Sequence, residues 1–128
     1  MTTDIKAAVE QAMTALVDTG DVDTLAPLLH DDFVHHRPDS TSSTKTEWLS
    51  AVRAGFAPDG PLAEMRAEIT HVLADGDHVV MSSRRWLPGG GREIAVVDIL
   101  RFADGLAAEA WEIIEPVHEA AAHLTWWE

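Results

Sequence analysis

Hydrophobic and polar positions follow two regimes along this chain, helical spacing in the first half and strict alternation in the second. Ile5, Ala8, Val9, Ala12, Met13, Leu16 and Val17 make one apolar stripe, which predicts a helix capped by Thr2 or Thr3 and stopped at Gly20. Residues 22–30 read as a short second helix capped by Asp21 or Asp23, with Leu25, Leu28 and Leu29 turned inward and Pro27 near its first turn. A brief strand over 33–36 follows and stops at Arg37-Pro38, and the polar stretch 39–44 reads as a loop. Thr44 with Glu47 three residues on has capping-box spacing, so a third helix starts there and carries Trp48, Leu49, Val52 and Phe56.

From residue 62 onward the period changes to two. Met65, Ala67, Ile69, His71 and Leu73 alternate with polar neighbours, and Asp75-Gly76 turns that strand into a partner over 78–87. Pro88-Gly89-Gly90-Gly91 lacks the strand and helix that flank a phosphate-binding loop and reads as a hairpin turn. In the next strand Ile94, Val96, Asp98, Leu100 and Phe102 share one face; after the turn at Asp104-Gly105, Ala108, Ala110, Glu112 and Ile114 share another. Residues 118–128 suggest a short closing helix ending in Trp126-Trp127. Helices first and antiparallel strands after give an α+β domain, with a strongly curved sheet wrapped around the N-terminal helices and enclosing a pocket.

Composition narrows the partners. A chain of 128 residues fits one domain, spanning 1–128. Its 9 Lys+Arg against 22 Asp+Glu give a formal charge of −13, which disfavours nucleic acid and anionic membrane surfaces. With no cysteine, neither disulfides nor thiolate metal sites are possible. No signal-peptide pattern and no apolar run of membrane-spanning length is present, so a cytoplasmic protein is expected.

Several strings, in order, resemble the SnoaL-like family of the nuclear-transport-factor-two-like superfamily, which includes polyketide cyclases and, more distantly, ketosteroid isomerase and limonene epoxide hydrolase. They are Asp31-Asp32-Phe33-Val34-His35-His36-Arg37-Pro38, Ala74-Asp75-Gly76-Asp77-His78-Val79-Val80, Val97-Asp98-Ile99-Leu100-Arg101-Phe102-Ala103-Asp104-Gly105 and Glu109-Ala110-Trp111-Glu112. The resemblance implies a cone-shaped α+β barrel with a deep apolar pocket, commonly homodimeric. It also implies a general acid/base on the last strand just after the tryptophan, which is Glu112 here. The family usually has Asp there, and Glu extends the carboxylate by one methylene. The His-x-Pro histidine of the family matches His36. The chain has no tyrosine, the oxyanion donor that the isomerases share, so steroid isomerisation is not the expected activity.

Read from the residues, Glu112 and Asp98 are the chemical centre. A carboxylate in line with apolar side chains is costly unless paired or put to use. Glu112 in an apolar pocket would trade protons near neutral pH, or else be a paired structural carboxylate. Asp98 would share a proton or a water with Glu112, or accept from an arginine such as Arg84 or Arg85. His35 and His36 lie on opposite faces of their strand, so one of them looks into a pocket, to polarise a carbonyl or orient water. His35, His71, Trp48 and Trp86 are candidates for contacting substrate, the tryptophans by stacking. No tight metal-ligand spacing is present, and neither metal nor cofactor is expected.

The expectation is an enzyme resembling SnoaL-like polyketide cyclases. It would use cofactor-independent acid/base chemistry on a hydrophobic, polyketide-like or cyclic small molecule, with Glu112, His36 and Asp98 as catalytic residues. Water addition of the epoxide-hydrolase or hydratase type is the alternative enzyme, and a non-catalytic ligand-binding homodimer of the same fold is the rival from another class.

Overall fold

The computed structural model describes residues 4–87 and 93–117. It opens with helix α1, Ile5–Thr19, whose apolar stripe buries Val9 and Leu16. Its cap is Asp4, whose carboxylate accepts the Ala7 N–H at 3.0 Å. Thr2 and Thr3 lie outside the described residues. Gly20 ends the helix at φ +68°, a left-handed conformation that suits glycine because it has no Cβ.

In place of a second α-helix there are two short 3₁₀ turns, Val22–Thr24 and Ala26–Leu28, the first capped by the Asp21 side chain. The chain cannot continue helically, because Leu29 is already drawn into the sheet beside Ala107. Strand β1 therefore runs Leu29–His36, longer than alternation alone predicts, and β2, Ser42–Thr44, falls inside the polar stretch expected to be a loop. Helix α2, Lys45–Gly55, starts with the predicted capping box, the Thr44 hydroxyl accepting from the Glu47 N–H and the Glu47 carboxylate accepting from the Thr44 N–H.

The remaining strands are β3 Arg66–Asp75, β4 His78–Trp86, β5 Glu93–Ala103 and β6 Leu106–Pro116. The six strands form one mixed sheet in the order β2-β1-β6-β5-β4-β3. Its pairings are antiparallel except where β1 lies parallel to β6. Their inner face wraps around the helices, and Val9, Leu29, Phe33, Val79, Met81 and Phe102 close the core between them. A smaller cluster of Leu16, Val22 and Leu25 seals the helical end. The result is the expected curved α+β cone, hollow where sheet and helices fail to meet. The turn at residues 88–91 and the closing segment with Trp126 and Trp127 lie outside the described residues.

Register shifts change which residues point inward, first between Arg101 and Phe102 in β5–β6, where both Ala107 and Ala110 turn to the core, and again in β3. The β3–β4 register slips between Ile69 and His71, so the alternation predicted through Met65, Ala67, Ile69, His71 and Leu73 reverses halfway. Val72 packs on the core instead, and Leu73 is 64% exposed.

Candidate active site

The hollow is a cavity of about 170 Å³ between α1, α2 and the inner face of the sheet. Among the described residues four polar side chains reach its wall, His35, Arg85, Asp98 and Glu112; the rest of the lining is aliphatic, aromatic or methionine. The strand registers explain why those four converge. Asp98 on β5 sits directly opposite Glu112 on β6, and His35 on β1 lies beside Ala110, two residues before Glu112. Arg85 shares the inward parity of Val79, Met81 and Ser83 along β4.

The two carboxylates have different surroundings. Asp98 accepts from the Arg85 guanidinium at 2.8 Å, and both side chains are nearly buried, at 14% and 11% exposed. Arg85 is steadied by a further bond to the Ser83 hydroxyl at 3.1 Å. Burial raises the Asp98 carboxyl above its ordinary range, with Arg85 pulling the other way. Glu112 has no hydrogen bond or ion pair among the described residues. Its carboxyl is also raised, by burial first and by the neighbouring charge of Asp98 second, while Arg85 and Arg37 oppose. Glu112 also borders a shallower groove containing His36, Arg37 and Trp111, so it stands at the rim of the cavity.

Of the two adjacent histidines, His35 is the inward one, 5% exposed and packed against the Trp48 ring at 5.3 Å. Neither of its ring nitrogens has a hydrogen-bond partner among the described residues, and Nδ1 is sealed from solvent. Burial, helped by the charges of Arg37 and His36, lowers its pKa to about 4, so the ring is neutral at physiological pH. The sign of the linkage is fixed by that depression. His35 contributes stability that is fully present above the unfolded value near 6.5 and is lost as pH falls towards about 4. The loss is expected to be about 3 kcal/mol, and replacing His35 by Phe should flatten that part of a urea-denaturation profile measured against pH.

The other predicted residues lie elsewhere. His36 points away from the cavity: its Nε2 meets Glu109 at 2.6 Å, its Nδ1 meets the Ser42 hydroxyl, and its ring stacks on Trp111 at 5.4 Å. That pairing, reinforced by Arg101, holds the Glu109 carboxyl below its ordinary range. The slip in β3 leaves His71 exposed on the far side, against the Ser82 hydroxyl. Trp86 lies under the Arg66 guanidinium, 4.9 Å from its ring centre, and Trp48 does line the cavity. The structure thus brings together Glu112, Asp98, His35 and Trp48 and leaves His36, His71 and Trp86 outside. Arg85, named in sequence only as one of two possible partners for Asp98, is a wall residue that the parity of β4 could have singled out. Among the described residues no three His, Asp or Glu side chains are grouped so as to hold a metal ion, and no helix is long and apolar enough to cross a membrane.

A six-stranded mixed sheet curled round an N-terminal helix, with acidic groups at the rim of an apolar hollow, defines a nuclear-transport-factor-two-like cone. Solved structures agree on the fold. A proposed ketosteroid isomerase from Kribbella flavida superposes with a TM-score of 0.73 at 20% identity, over 90% of this chain and 81% of that one. IdmH, a proposed polyketide cyclase from Streptomyces antibioticus, gives 0.70 at 22% identity, over 86% and 91%. A SnoaL-like polyketide cyclase candidate from Jannaschia gives 0.69 at 15% identity, over 97% and 94%. No curated protein matches the chain. The model of the SnoaL-like domain matches residues 9–110, and the chain belongs to that family.

Proposed function

We propose that this protein is a cofactor-independent enzyme that moves a proton beside the carbonyl of a hydrophobic cyclic substrate, with Glu112 as the general base. The observation that supports this reading is the unpaired, partly desolvated Glu112 carboxylate on an apolar cavity, next to an Asp98 already engaged by Arg85. Desolvation strengthens a carboxylate as a base, and a pKa nearer neutrality suits it to both halves of a proton shuttle. Glu112 would take a proton from the carbon next to the carbonyl. The C–H electron pair becomes the C=C bond of an enolate, and the carbonyl π pair moves to oxygen. Where the substrate carries a C=C one carbon further from the carbonyl, the enolate is a dienolate; protonated Glu112 gives the proton to its far carbon as the C=O re-forms and the C=C moves next to it, which is isomerisation. Alternatively the enolate carbon attacks a second carbonyl and Glu112 protonates the new alkoxide, which is aldol closure of a ring. Asp98 and Arg85 hold the local charge near balance, and His36, tied to Glu109, has no part in the step.

Titrating the Glu112 side-chain carboxyl by NMR tests this. A value well above the model-peptide figure of about 4.3, moved by added cyclic ketone, is expected. An ordinary or depressed value that ignores ketone would leave a ligand-binding protein without catalysis. The pairing of a free carboxylate with a fixed Asp98–Arg85 couple also suits activation of water for addition to an epoxide or alkene. Incorporation of heavy oxygen from labelled water into product separates that reaction from proton transfer.

The assembly we infer is a homodimer through the outer sheet face. Ile113, 54% exposed, and the half-buried Ile99 and Trp111 form an apolar surface there. Sedimentation equilibrium is expected to give twice the chain mass, and Ile113→Lys to shift the protein towards monomer.

A further inference from the structure

The cavity also constrains what can enter it, and this step rests on the proton-transfer reading above. We infer that the ligand is a neutral, single-ring ketone whose carbonyl oxygen accepts a hydrogen bond from the imidazole of His35 while its ring fills the apolar chamber behind.

Size supplies the first argument. Pockets for drug-sized molecules enclose roughly 300–1,000 Å³, whereas this one holds about 170 Å³. A dry cavity of about 150 Å³ lined by Leu, Ile and Phe takes up benzene. The chamber therefore matches one six-membered ring with a small substituent, and a fused four-ring ketone exceeds it. Its far wall, with Met13, Leu16, Val52, Phe56 and Met65, offers no charged or hydroxyl group to a second functional group.

The state of His35 adds a second constraint. Among the described residues it is one of three buried polar side chains, with Ser43 and Ser83. An imidazole 5% exposed, with neither nitrogen bonded to a protein group among the described residues, turns its donor and acceptor towards whatever occupies the cavity. A neutral imidazole has one N–H to give, and a carbonyl oxygen has no proton of its own, so the two match. His35 and Glu112 project from neighbouring strands on the same face. A carbonyl held by His35 therefore brings the adjacent C–H towards the Glu112 carboxylate. Charge points the same way: an anion would meet Glu112 and Asp98, whereas a neutral ligand leaves the Asp98–Arg85 pair undisturbed.

Three probes separate the arguments: cyclohexanone, its isostere methylenecyclohexane, which lacks the oxygen, and progesterone, which has four fused rings. Each is titrated into protein uniformly labelled with nitrogen-15, as wild type, His35→Phe and His35→Gln, with folding and affinity read from the backbone amides beside the cavity. Cyclohexanone is expected to shift the His35 ring signals saturably. It should bind roughly three- to tenfold more weakly to His35→Phe, with partial recovery in His35→Gln, which keeps an N–H donor. Methylenecyclohexane should bind both wild type and His35→Phe alike, and progesterone should leave the cavity signals unmoved. Saturable progesterone binding in the cavity, equal effects of His35→Phe on ketone and alkene, or no response to any probe would each overturn the inference. Exchange of deuterium into the ketone, compared in wild type and Glu112→Gln, keeps the two readings apart. Binding through His35 without exchange removes the catalytic reading and supports the ligand class. Exchange into progesterone keeps catalysis and overturns the ligand class.

Discussion

Glu112→Gln is expected to lower the rate of proton exchange at the carbon beside a bound ketone by about 10²- to 10⁴-fold, the usual contribution of a positioned general base. Glutamine keeps the shape and removes only the titrating oxygen, so ligand affinity should be little changed and the loss should fall on kcat. The same substitution is expected to stabilise the fold at neutral pH. Burial and the charge of Asp98 raise the Glu112 carboxyl in the folded protein. Between its ordinary pKa and that raised value, the folded state holds a proton that the unfolded state has released. Stability associated with Glu112 is thus greatest below the ordinary carboxylate range and is lost as pH rises through the raised pKa. An amide does not titrate in this range, so the variant keeps that stability. Urea denaturation of both proteins across pH 4 to 8, an interval of about four units around the carboxylate and histidine range, should show curves that meet at the acid end and separate towards neutrality. A variant that is slow, stable and still binds ketone is the signature of a strained catalytic group. One that loses activity and stability together would mark Glu112 as structural.

The largest loss of stability is expected from Arg85→Met. Arg85 and Asp98 are buried together at 2.8 Å, and removal of one partner strands the other in an apolar wall. Breaking such a pair typically costs about 3–5 kcal/mol. Asp98, already raised by burial, rises further once Arg85 is gone and evades part of that cost by taking up a proton. The deficit should therefore shrink as pH falls towards the ordinary carboxylate range and grow as pH rises, because only the ionised form needs Arg85. The double variant Arg85→Met, Asp98→Leu should recover most of the stability at neutral pH, since an apolar pair needs no partner. Its proton-exchange activity should differ from that of wild type through the pKa of Glu112, which then has neither neighbouring charge. An Arg85→Met protein with unchanged stability at every pH would show that solvent reaches Asp98.

Much of this site was legible in the chain because alternation is a rigid code where strands pair in register. Asp98 and Glu112 each follow from alternation within their own strand, although plain counting from the Asp104-Gly105 turn would set Asp98 against Trp111; a register shift between Arg101 and Phe102 brings Glu112 opposite instead. The Thr44–Glu47 cap was readable for the same reason, since its spacing is set by helix geometry. Reading failed where register broke or where a long-range partner decided the matter. His71 turned outward because of one slip in β3, which nothing in the apolar pattern announces. β2 was unreadable as a strand, because with only Ser43 turned inward it shows no apolar alternation. The choice between His35 and His36 depends on which face of β1 the helices cover. Phe33, at the parity of His35, contained that information, while the family match pointed to His36.

The parallel seam between β1 and β6 sets a kinetic order on all of this. Asp98 and Glu112 are joined by a hairpin and can meet early, as local contacts do. His35 reaches them only when residues 29–36 dock beside residues 107–111, across most of the length of the chain. Closing so long a loop is among the slower events in folding. The hairpin therefore holds its two acids before the imidazole arrives, and ketone binding should return in the last refolding phase, later than the recovery of strand signal. A ligand seated across that seam binds the finished fold alone and slows its opening, so substrate itself would lengthen the lifetime of the native protein.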